Sequence, residues 1–149
     1  MTTEDQEYGP LGPGATPVKD PLKALNGVLA GTLVLESITI LLGLTVILQI
    51  DSGSYWTPLN WGIVVALGVA HFLLAFVQRR PWGLKAAIGL QVISFVAGLF
   101  VHWSIAFIIG LFIMVWWFVL TLRTDIAERM KRGMLVTQHL GADEPEDDK

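Results

Sequence analysis

Four long apolar runs occupy most of the chain, at Leu22–Ile50, Leu59–Val77, Leu84–Val101 and Ser104–Leu122, and only short polar stretches separate them. Each reaches or approaches the roughly 20 residues that an α-helix needs to cross a ~30 Å hydrocarbon layer. Backbone groups in lipid must be paired within their own segment, so the runs predict helices rather than isolated strands. Short connections make neighbours in sequence antiparallel neighbours in space. The expected fold is therefore all-α: a polytopic membrane protein with four transmembrane helices. The domain reading is an acidic, Pro- and Gly-rich tail over 1–21, a membrane domain over 22–122, and a helical extension with an acidic tail over 123–149.

Charge gives this arrangement a direction. Only 15% of the 149 residues are charged, against about 25% in an ordinary soluble domain, and they cluster outside the apolar runs. None of the 10 Lys and Arg falls in DSGSYWTPLN or in the turn at His102 and Trp103. They fall instead at Lys19 and Lys23, at Arg79, Arg80 and Lys85, and from Arg123 onward. By the positive-inside rule both termini and the QRRPWGLK loop are expected in the cytoplasm. The first residues lack the basic region and prompt apolar core of a signal peptide, so they are expected to stay as a cytoplasmic tail. Beyond the last run, Asp125 with Arg129 and Glu128 with Arg132 are spaced as i,i+4 pairs, and Gly133 is placed to stop the helix.

The polar residues inside the runs are the candidate chemistry. Glu36 interrupts GTLVLESITILLGL, where a mid-bilayer carboxylate costs on the order of 2.5–3.5 kcal/mol. At 100° per residue Thr32 and Thr39 share its stripe, while Gly27 and Gly31 form a GxxxG step on nearly the opposite side, suited to close helix packing. The second run carries His71, and the third carries Gln91 and Ser94. Counted from the flanking basic residues at the helical rise, His71 lies about 12 Å above Arg79 and Gln91 about 9 Å above Lys85. Those depths allow Glu36, His71 and Gln91 to meet.

Two readings of that cluster follow. In the first it is structural, hydrogen bonds fastening helix to helix. In the second Glu36 exchanges a proton or binds a cation, with His71 as its titrating neighbour. The chain has no cysteine, no HExxH, no Ser-His-Asp arrangement and no Gly-rich phosphate loop. No catalytic residue, metal site or cofactor is assigned, and enzyme activity is not expected. The pair Trp116–Trp117 is read as packing or lipid contact.

Two segments, GVLAGTLVLESITILLGL and VQRRPWGLKAAIGLQVISFVAGL, resemble a family of small actinobacterial membrane proteins of unknown function. The resemblance covers about residues 25–132. Matched onto this chain, its motif positions are Glu36, Gln78, Arg79, Arg80, Pro81, Trp82 and Gln91. It implies a four-helix fold in a plasma membrane, and genes commonly beside folylpolyglutamate synthase and nucleoside diphosphate kinase. It implies no activity. The small multidrug transporters share four helices and a first-helix Glu, but their signature segments do not match, and the one-sided charge here argues for one fixed orientation.

The expected role is thus a non-enzymatic accessory or scaffold subunit. Its partners would be the bilayer and either a second copy or a larger membrane complex, with no nucleic acid. The alternative is a small proton-coupled transporter using Glu36.

Overall fold

The computed structural model describes Pro17, residues 19–135 and Gln138. The expected tails, 1–21 and the acidic end of 123–149, lie almost wholly outside the described residues. Four helices follow in order: α1 Pro21–Gln49, α2 Pro58–Val77, α3 Gly83–Val101 and α4 Trp103–Lys131. All four are long and apolar enough to cross a membrane, and no strand occurs among the described residues. Their bounds follow local chemistry. Asp20 Oδ1 accepts from the Leu22 backbone N–H at 2.9 Å, with Pro21 preset for the first helical turn. Thr57 caps α2 in the same way, its hydroxyl accepting from Asn60 N–H at 3.2 Å ahead of Pro58.

The connections are tight. Between α1 and α2, Asp51 and Ser52 adopt left-handed backbone angles before Gly53, and this reverses the chain within one short turn. Between α3 and α4 only His102 is extended. Its ring Nδ1 accepts from the Ser104 backbone N–H at 3.2 Å, giving α4 its first cap. In the α2–α3 loop Arg80 N–H bonds the Val77 carbonyl at 2.9 Å, and Gly83 N–H bonds the Arg80 carbonyl at 3.0 Å. A methyl group on Gly83 would lie 2.6 Å from the Val77 carbonyl oxygen, so this close turn requires glycine.

The chain divides into two compact units. One comprises residues 26–119 and holds most of all four helices. Its buried positions repeat at alternating steps of three and four: Leu29, Leu33, Glu36, Ile40, Gly43 and Ile47 on α1, and Gln91, Ser94, Gly98 and Val101 on α3. That is the spacing of helices packed along a narrow seam. One half of the unit is an apolar core of Ile40, Ile47, Val64, Leu67, Val101, Ile105 and Ile109. The buried polar residues Glu36, His71 and Gln91 lie beyond it along the helices. Outside, the order is inverted: Phe76 is 71% exposed, Trp117 71% and Phe100 82%. Polar groups inside and large apolar groups outside are what lipid, not water, selects, and the protein is membrane-embedded.

The second unit contains the start of α1 and the end of α4. Here α4 runs on to Lys131, and Gly133, at φ +64°, ends it. Met134 N–H bonds the Arg129 carbonyl at 2.9 Å and Gly133 N–H bonds that of Met130 at 3.3 Å, the paired bonds of a Schellman stop. Glu128 and Arg132 pair at 2.7 Å as their spacing predicts. Asp125 and Arg129 do not form the ion pair expected for them; both are exposed, where hydration competes with so weak a contact.

Candidate functional site

Each of the four helices of the 26–119 unit sends one polar side chain to the same place. Glu36 on α1 occupies a position in the apolar seam between Leu33 and Ile40 and is 0% exposed. Its Oε2 accepts from Gln91 Nε2 on α3 at 2.5 Å and from Trp116 Nε1 on α4 at 3.2 Å. Its Oε1 faces His71 Nε2 on α2 at 3.6 Å, and His71 is also 0% exposed. The carboxyl therefore links α1 to all three other helices. Ser37, beside it, adds a second α1–α2 tie by donating its hydroxyl to the Gly68 carbonyl at 2.7 Å.

The tautomer of His71 follows from its neighbours. Nδ1 lies 2.7 Å from the Leu67 carbonyl oxygen, which can only accept, so Nδ1 carries a hydrogen. A neutral imidazole then presents a bare Nε2 to Glu36 Oε1. Neither atom has a hydrogen-bond partner. Two lone pairs facing each other in a buried site repel, whereas one proton between them makes the contact favourable. A single proton would satisfy both atoms, as acid with neutral imidazole or as carboxylate with imidazolium. An unpaired charge in so dry a place would cost several kcal/mol, and sharing the proton avoids it.

Of the residues singled out in the sequence, Glu36, His71 and Gln91 come together. Ser94, one turn from Gln91, is fully buried, but its hydroxyl has no hydrogen-bond partner among the described residues. Thr32 and Thr39 do not join the cluster. Each returns its hydroxyl to its own helix, to the Val28 and Leu35 carbonyls at 2.9 and 2.8 Å. The seam runs between Glu36 and Ser37, and this leaves the two threonines on its flank. Gly27 and Gly31 pack against no other helix of the 26–119 unit, since a methyl group at either would meet nothing within 4 Å among the described residues. In the loop Arg79, Arg80, Pro81 and Trp82 are exposed, while Gln78 is buried with both amide atoms unpaired.

Two members of the site escaped the sequence reading. Ser37 was hidden beside the more conspicuous Glu36. Trp116, read as packing or lipid contact, is 3% exposed and donates to the carboxyl. A signal for it existed: Trp116 lies seven residues before Arg123, about 10 Å along the helix, which matches the depth counted for His71 and Gln91. Among the described residues no group of three His, Asp or Glu side chains is placed to hold a metal ion.

Comparison with known proteins agrees with the architecture. The model of a family described as "Protein of unknown function (DUF4233)" matches residues 26–132, which include every member of the four-helix cluster. No curated protein and no solved structure matches the chain.

Proposed function

The chain belongs to the DUF4233 family of proteins of unknown function, and from its own site we propose that it is a non-enzymatic, multi-pass component of the plasma membrane that works by packing with a second copy or a larger membrane complex. The observation that carries this reading is the convergence of Glu36, His71, Gln91 and Trp116 on one another, one from each helix and all buried. Such a centre spends its hydrogen bonds fastening helices together, the ordinary use of polar groups between membrane helices. It makes a rigid body whose working surface is its exterior. Both termini and the QRRPWGLK loop are assigned to the cytoplasm from the one-sided distribution of Lys and Arg.

On that exterior the Gly27–Gly31 face supports the packing role. Among the described residues a methyl group at either glycine would meet nothing within 4 Å, and a partner helix could approach there backbone to backbone. Counting copies per particle by single-molecule photobleaching in liposomes, at decreasing protein-to-lipid ratio, tests the reading. Self-association that Gly27→Leu with Gly31→Leu abolishes is the expected result. Single copies at every ratio would remove the self-packing form of the proposal.

One observation favours a second reading. The facing Glu36 Oε1 and His71 Nε2 need one proton between them, as a proton-coupled carrier would. That reading requires proton flux across liposomes containing the protein, lost in Glu36→Gln while the fold is kept.

A further inference from the structure

On the outer side of α2 and α3, turned away from the polar cluster, lies an open groove of about 520 Å³. Ala70, Leu73 and Val77 line it from α2, and Ala86, Gly89 and Ile93 from α3. Its walls are almost wholly apolar, and its volume falls in the range of clefts that hold small ligands, about 300–1,000 Å³. Small residues make it: Gly89 has no side chain to fill the space, and a methyl group placed there would meet nothing within 4 Å. The groove follows α3 from Ala86 to Ile93, about 10 Å along the helix axis.

One end of this groove is basic. Val77 and Ala86 bound it where the chain passes through the loop, and Arg79, Arg80 and Lys85 all lie within three residues of them. All three cations are exposed, and none forms an ion pair with a carboxylate among the described residues. Trp82, 53% exposed in the same loop, is the amphipathic type that settles at headgroup level. A second outer groove, between α3 and α4, makes a natural contrast. It is also apolar, at about 370 Å³, but its end is the turn at His102 and Trp103, which has no Lys or Arg.

An apolar channel about 10 Å long, with two arginines and a lysine in the loop at one end, matches the chemistry of a phospholipid with a net negative charge. Guanidinium groups match phosphate oxygens two at a time, and basic pockets between membrane helices hold anionic headgroups. We propose that the α2–α3 groove binds one acyl chain of an anionic phospholipid whose phosphate is held by Arg79 and Arg80, with Lys85 completing the positive rim. The lipid is a bound ligand at one position, distinct from the bilayer that surrounds the protein.

The test is native mass spectrometry of the full chain in detergent, titrated in parallel with palmitoyl-oleoyl phosphatidylglycerol and with phosphatidylcholine of the same chains. The first phosphatidylglycerol is expected to bind about thirtyfold more tightly than the first phosphatidylcholine, as two surface cations supply. Arg79→Gln with Arg80→Gln should erase that preference. Gly89→Leu, which puts an apolar side chain into the groove from a position where a Cβ meets nothing within 4 Å, should weaken the first phosphatidylglycerol while keeping every charge. Equal affinities for the two lipids in the unchanged protein would mean surrounding lipid only and overturn the proposal. So would a preference that survives the arginine substitutions, or a first phosphatidylglycerol bound by Gly89→Leu as tightly as by the unchanged chain.

Discussion

His71 Nε2 stands 3.6 Å from Glu36 Oε1, and neither atom has a hydrogen-bond partner, although each lies in a fully buried side chain. The other imidazole nitrogen is committed to the Leu67 carbonyl, so the ring cannot turn a second hydrogen toward the carboxyl without becoming charged. A single proton placed between the two atoms would turn this α1–α2 contact from repulsive to favourable. The other carboxyl oxygen is occupied by donors from α3 and α4.

A glutamine at position 36 can reproduce every contact. Its carbonyl can accept from Gln91 and Trp116 while its amide donates to His71 Nε2. Glu36→Gln is expected to unfold within a few degrees of the unchanged protein. Glu36→Leu strands two buried donors and the imidazole, each unpaired group costing about 1–3 kcal/mol, and should unfold far earlier. Thermal unfolding in detergent, followed by tryptophan fluorescence, compares the two. Equal stability of Glu36→Leu and Glu36→Gln would remove the fastening role assigned to the carboxyl.

One proton held between the two groups would make them titrate as a coupled pair. Infrared difference spectra across a pH series in lipid nanodiscs are expected to show two steps that belong to the pair, each moving when the other group is removed. In His71→Phe the carboxyl band should persist but change at a different pH. A carboxyl band that changes at the same pH in His71→Phe as in the unchanged protein would mean that the groups do not share a proton.

The helices were legible in the sequence because lipid imposes a length and a composition that no other environment asks for. The depth of the polar residues was legible too, since helical rise is fixed and the basic residues mark a level. Rotation about the helix axis was harder to read. Thr32 and Thr39 lie a turn either side of Glu36, yet the seam is centred between Glu36 and Ser37 and leaves both threonines on its edge. Which edge is buried depends on the neighbouring helices, which no single run of sequence contains. Trp116 was passed over for a related reason: an indole suits both lipid and a buried hydrogen bond, and only its level along α4 separated the two.

That difference in rotation can be measured. Ser37 donates across to α2, whereas Thr39 bonds within α1. Ser37→Ala should therefore lower stability by about 0.6–1.7 kcal/mol, the range of interhelical hydrogen bonds in membranes. Thr39→Val, which keeps the side-chain shape, should change it by less than about 0.5 kcal/mol. Unfolding titrations in mixed detergent give both values. A larger loss from Thr39→Val than from Ser37→Ala would return the threonine stripe to the core.

Two glycines only six residues apart on α3 should respond to the same substitution with opposite signs. A methyl group on Gly83 would press on backbone atoms, 2.6 Å from the Val77 carbonyl oxygen and 3.0 Å from Gln78 Cα. Neither can move without opening the turn that leads from α2 into α3, so Gly83→Ala should cost about 1–3 kcal/mol. At Gly89 the same methyl group enters open space. There the substitution removes only the entropic penalty of glycine in a helix, and Gly89→Ala should stabilise by up to about 1 kcal/mol. The unfolding titration that measures Ser37→Ala also reads these two variants. A loss at Gly89 matching that at Gly83 would mean that the outer groove is already filled by protein, and no loss at Gly83 would mean that the α2–α3 turn is looser than its hydrogen bonds imply.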